Sequence, residues 1–111
     1  MIALSGTASL NLDREFATDG VTTEYTLPLT SFTDGAILDI AVSLVTSGTQ
    51  HCSYRLTVHK HNNIGAKVTV LSNYTYNGLS IAFSATYTQL TLTLSSAAVG
   101  ILKISPIHLN V

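Results

Sequence analysis

Two imidazoles stand two residues apart in His59-Lys60-His61. On an extended strand that spacing puts both rings on one face with about 7 Å between Cα atoms, close enough to chelate one metal ion. The same pair also fits two exposed residues entering the turn signalled by Asn62-Asn63. Asp13-Arg14-Glu15 is the densest charge cluster, and carboxylates at i and i+2 share a face, as an acid and base acting on one bond require. Nothing else supports a hydrolase. The chain holds only two Glu, no Gly-x-Ser-x-Gly and no phosphate-cradling glycine loop, which favours a solvated turn with a local ion pair.

Cys52 follows His51 directly, and neighbours on a strand face opposite ways, so adjacency argues against a Cys-His couple. Cys52 then reads as a small buried hydrophobe, and His51 and His108 as structural residues. Five tyrosines remain, at positions 25, 54, 74, 76 and 87. Tyr74 and Tyr76 share a strand parity and are flanked by Asn73 and Asn77, a set suited to stacking on a sugar ring and bonding its hydroxyls. That set is the candidate glycan-contacting patch. Parity alone permits another arrangement, in which both rings continue the core face of Val68 and Val70. Asn73-Tyr74-Thr75 also fits a glycosylation acceptor, which carries little weight without a signal peptide.

These residues must be positioned by strands. Period-two alternation dominates: Leu38, Ile40, Val42 and Leu44; Cys52, Tyr54, Leu56 and Val58; Ala66, Val68 and Val70; Leu79, Ile81, Phe83, Ala85 and Tyr87; and Leu90, Leu92 and Leu94. Turn signals separate the runs at Asp19-Gly20, Asp34-Gly35, Ser47-Gly48, Asn62-Asn63 with Gly65, and Asn77-Gly78. Asn77-Gly78 predicts a tight hairpin, because a type I′ turn needs positive φ at both positions. Adding residues 2–12, 21–29 and 102–111 gives about eight strands. The expected fold class is all-β, an antiparallel β-sandwich of jelly-roll-like kind. Pro28 and Pro106 must lie at an edge or a bulge, since proline donates nothing to a ladder. The parity change from Leu102 and Ile104 to Ile107 and Leu109 asks for a bulge there. The expected division is an N-terminal strand or arm over 1–19 and a sandwich over 20–111.

Composition fits this picture. In 111 residues, 5 Lys plus Arg stand against 6 Asp plus Glu, a net charge of −1. Ser (12) and Thr (16) carry the polarity, while charged residues are 10% of the chain. So few basic residues speak against a nucleic-acid partner, and no apolar run is long enough for a membrane-inserted helix. One cysteine excludes an intrachain disulfide. Outer-face positions such as Ala41, Ser43 and Val45, Ser80, Ala82 and Ser84, and Ile101 are small or apolar and poorly guarded by charge. Burial in a symmetric oligomer would cover them.

The segments DGAILDIAVSLVTSGTQHCSYRLTVHK and GLSIAFSATYTQLTLTLSSAAVGILKI resemble the terminal β-sandwich domains of bacteriophage tail fibres and tailspikes, over about residues 34 to 105. The resemblance implies a homotrimer on a virion, made in the host cytoplasm, with attachment to a host surface polysaccharide as its role. It also implies that His59 and His61 of three chains could surround an axial metal ion, an iron; no other cofactor is expected. The resulting expectation is a non-enzymatic fibre-tip domain for trimerisation and glycan attachment. Two alternatives stand beside it: a purely structural virion component without a receptor site, and a small polysaccharide-degrading module using Asp13 and Glu15.

Overall fold

The computed structural model describes residues 14–110. Among them are eight strands: β1 (Arg14–Asp19), β2 (Glu24–Pro28), β3 (Ile37–Thr46), β4 (His51–His61), β5 (Gly65–Tyr76), β6 (Ile81–Ala85), β7 (Gln89–Leu94) and β8 (Val99–Asn110). They form two antiparallel sheets, one of five strands in the order β1-β8-β3-β4-β5 and one of three in the order β2-β7-β6. The fold is an all-β antiparallel sandwich, as the alternation predicts. Residues 14–19 are hydrogen-bonded into the five-stranded sheet as its edge, and the Asp19-Gly20 turn ends that strand. The strand expected over residues 2–12, and Asp13 with it, lies outside the described residues.

The alternation explains the core. Leu38, Ile40, Val42 and Leu44 of β3 and Cys52, Leu56 and Val58 of β4 point inward and are buried against Leu27, Leu90, Leu92 and Ile81 of the smaller sheet. Each leucine taken fully out of water contributes about 1.5–3 kcal/mol before the entropy of ordering it is subtracted. Tyr54 links the layers: its hydroxyl accepts the Ile81 N–H at 2.9 Å, and its ring meets Phe83 edge-on at 5.1 Å.

Both prolines sit where a missing N–H is tolerated. Pro28 ends β2, the edge of the three-stranded sheet, and Pro106 opens a bulge. Ile40 pairs with Pro106 while Asp39 pairs with His108, so Ile107 is the extra residue. The bulge brings Leu109 opposite Leu38, as the parity change requires. A second bulge has no Gly or Pro signal in the sequence. In the β4–β5 ladder Leu56 pairs with Val70 but Arg55 with Ser72, leaving Leu71 as the extra residue.

One expectation is corrected here. Asn77 and Gly78 do adopt positive φ, 60° and 79°, as a tight turn of this type demands. They do not close a hairpin: β5 ends one edge of the larger sheet and β6 one edge of the smaller, so the turn carries the chain between layers. Crossing buries Leu79 completely.

The β1–β2 corner is set by Asp19. Its carboxylate accepts the N–H groups of Thr22 (2.7 Å) and Val21 (2.8 Å) and the Thr22 hydroxyl (2.8 Å). These bonds favour the charged form and lower its pKa from 3.8 to about 2. A depressed folded value means the stabilisation is complete above 3.8 and is lost as pH falls through about 2. Thermal melts from pH 5 to pH 2 should therefore show the gap between wild type and Asp19→Asn closing over that window. A gap that stays constant would remove the carboxylate from the acid response.

Candidate functional site

The outer face of the five-stranded sheet is read directly from its registers. One row across the strands runs Lys103, Ser43, Ser53, Tyr74; the next runs Ser105, Ala41, Arg55, Ser72. Together they line a shallow trough of about 280 Å³ whose floor is serine and alanine. Small side chains let a ligand approach the sheet, and their hydroxyls both donate and accept hydrogen bonds. Adjacent strands are about 4.8 Å apart, so the trough spans about 14 Å from Lys103 to Tyr74.

A third row runs Ile101, Val45, His51, Tyr76. At its far end the His51 imidazole stacks on Tyr76 (5.2 Å between centroids, 18° between planes) and lies against Tyr74 (5.5 Å, 31°). Tyr74 and Tyr76 remain 54% and 47% exposed. The bulge at Leu71 decides this. Val68 pairs with the buried Val58, whereas Tyr74 and Tyr76 pair with Ser53 and His51 on the opposite face of β4. Without the extra residue both rings would share the parity of Val68. The remaining tyrosines are committed elsewhere: Tyr54 is in the core, Tyr25 packs on Phe16, and Tyr87 lies under the Lys60 ammonium.

The two asparagines of the patch differ. Asn73 borders the trough, but in register it pairs with the core residue Tyr54, so it lies on the face of β5 opposite Tyr74 and Tyr76 and does not join their patch as expected. The Asn77 amide donates to the Thr49 hydroxyl (2.9 Å) and carbonyl (3.2 Å), and the Asn77 carbonyl accepts from Gln50, so this residue locks the β5–β6 turn onto the β3–β4 turn. No local sequence signal marks the two cationic residues of the trough, Arg55 and Lys103, or His51 as members of the site. Only the cross-strand register reveals them, because Arg55 and His51 lie on β4 and Lys103 on β8, apart from the tyrosines of β5. Arg55 donates to both Asp39 oxygens (3.0 and 3.3 Å), a partly exposed pair worth under about 1 kcal/mol.

His59 and His61 lie at the other end of β4, both exposed and on one face. The His59 register places Lys67 directly opposite, and the Asn63 N–H donates to His61 Nδ1 at 3.3 Å. Among the described residues no group of three His, Cys, Asp or Glu converges as a metal site within one chain. Glu15 is exposed on the outer side of β1, opposite Lys103; its expected partner Asp13 lies outside the described residues. Cys52 is buried, with burial pushing its thiol pKa up, and it faces away from His51 as strand parity requires.

The fold and this surface define a small all-β sandwich domain with one aromatic-edged, hydroxyl-rich sheet face. Comparison with protein-family models, curated proteins and solved structures returned no match.

Proposed function

We propose that the chain is a non-enzymatic attachment module that binds a surface glycan on the outer face of its five-stranded sheet, as the tip domain of a viral fibre. The observation that carries the reading is the Leu71 bulge, which turns Tyr74 and Tyr76 outward beside a serine-floored trough. An exposed aromatic plane next to hydroxyls matches a sugar, which presents an apolar ring face and a polar edge. Each site would bind weakly, and several on one rigid head would raise avidity. Tyr74→Ala and Tyr76→Ala should each abolish most glycan-array signal while the particle mass stays unchanged. Array binding that survives both substitutions would overturn the reading.

The architectural alternative has its own support. Ala17, Ile101 and Val45 continue the Tyr76 row, and with Val99 they line an apolar groove of about 460 Å³. Exposed apolar surface of this kind fits burial between sister copies, a homotrimer on the virion. Light scattering should then give three times the 11.8 kDa chain mass. If Tyr74→Ala dissolves that particle and no sugar binds the wild type, the aromatic rows are interface and the domain is structural.

A further inference from the structure

The charge of the trough points further than a generic sugar. Among the described residues its lining contains two cations, Arg55 and Lys103, and no carboxylate. Arg55 is held by Asp39, itself outside the lining, at 3.0 Å. Lys103 is exposed and sits at the end of the trough opposite Tyr74, three strands away. The Arg55–Asp39 pair is the ion pair found among the described residues, and none of their carboxylates lies within 4 Å of the ammonium of Lys103, which borders the trough. Among the described residues the exposed carboxylate nearest in register is Glu15, directly opposite Lys103 on β1 and outside the trough lining.

We infer that the ligand is an acidic oligosaccharide, one ring stacked on Tyr74 and a carboxylate or sulfate on a neighbouring sugar held by Lys103. The inference rests on the glycan reading above. The strands that carry the two anchors lie about 14 Å apart, a span that suits a chain of sugars laid across the strands better than a single ring. The serine floor between them bonds the intervening hydroxyls. Lys103 donates up to three hydrogen bonds to an anion, and its attraction is screened by salt because the site is open to water.

An oligosaccharide array containing uronate, sialate and sulfate members with their neutral or esterified counterparts tests this with the full chain. Wild type should prefer the acidic members, and the preference should shrink at high salt. Lys103→Gln should weaken acidic binding about three- to tenfold and leave neutral members unchanged, while Lys103→Arg restores it. Tyr74→Ala should weaken acidic and neutral members alike. Equal binding of acidic and neutral members that Lys103→Gln does not alter, but that Tyr74→Ala abolishes, overturns the acidic ligand and keeps the glycan site. Binding of no member at all overturns both.

Discussion

An alanine at position 100 should lower unfolding free energy by about 3 kcal/mol or more, at or above the usual ceiling for overpacking. Gly100 lies in β8 between β1 and β3, where the strands come unusually close. A Cβ built there would stand 2.2 Å from the Val45 carbonyl oxygen and 2.6 Å from the Thr46 Cα. These are backbone atoms and cannot swing aside. The other side of Gly100 is fixed too: its N–H donates to Thr18 Oγ1 at 2.7 Å, and the same hydroxyl donates to its carbonyl at 3.1 Å. Thr18 is buried, so β1 must move if β8 moves. Urea denaturation of Gly100→Ala and wild type measures the loss. A difference under about 1 kcal/mol would mean the β3–β8 ladder has slack that its geometry does not suggest.

The same local crowding shows why some of the fold was legible in the sequence and some was not. Strands β3 and β4 were readable because every second residue is a large hydrophobe and both strands are central, paired on two sides. Pro106 announced its bulge through the missing N–H. Leu71 announced nothing: a bulge needs only one extra residue, and Val70-Leu71-Ser72 contains neither Gly nor Pro. Parity beyond it was therefore ambiguous, and with it the orientation of Tyr74 and Tyr76. The Asn77-Gly78 turn shows a second limit. Turn chemistry fixes two φ angles, but the sheet joined next depends on what the following residues bury. Here Leu79 enters the core, and the Ser80 N–H is taken by the Ser95 hydroxyl at 3.0 Å, both of which favour the crossing.

The candidate site divides along the same line. Tyr74 and Tyr76 share one parity of one strand, so their clustering could be seen from spacing alone, whereas Asn73 lies on the other face. His51, Ser53, Arg55 and Lys103 join them only through pairing across three further ladders, and pairing is a long-range property. Asp13-Arg14-Glu15 looked like a charge cluster because charge breaks hydrophobic alternation. In β1, however, Glu15, Ala17 and Asp19 alternate with Phe16, which packs on the core, and the buried Thr18. Charge on the outward positions of an edge strand is compatible with a strand and discourages unwanted pairing.

Lys60→Met should be destabilising by about 2–4 kcal/mol, although methionine fills the same channel and is the more apolar side chain. Lys60 is 2% exposed, on the inner face of β4. Its Nζ donates to the carbonyls of Leu29 (2.5 Å) and Phe32 (2.6 Å) and lies 4.5 Å from the Tyr87 ring centroid. Among the described residues no buried polar side-chain atom is left without a partner, and this lysine also closes part of the backbone account. In the methionine variant the Leu29 carbonyl still accepts the Phe32 N–H at 3.1 Å, but the Phe32 carbonyl loses its side-chain donor. A buried carbonyl left unpaired costs about 1–3 kcal/mol, and the lost cation–π contact adds to it. The loop from β2 to β3 should loosen first, since Lys60 also holds it through its own backbone, with its N–H on the Ala36 carbonyl and its carbonyl accepting from Gly35. The deficit should also depend on pH. Burial lowers the Lys60 pKa from 10.5, against a smaller opposing pull from Asp34. A lysine that holds its proton less tightly when folded contributes more stability as pH rises through the folded value, and its contribution is complete above 10.5. The neutral amine keeps two N–H groups, enough for the two carbonyls. Hence the gap between wild type and Lys60→Met should widen from neutral toward pH 10.5. The raised pKa values of Tyr25 and Tyr54 act in the opposite direction but are common to both proteins and cancel in the difference. A gap that narrows toward alkaline pH would mean the ammonium, not the amine, is the form the folded chain prefers.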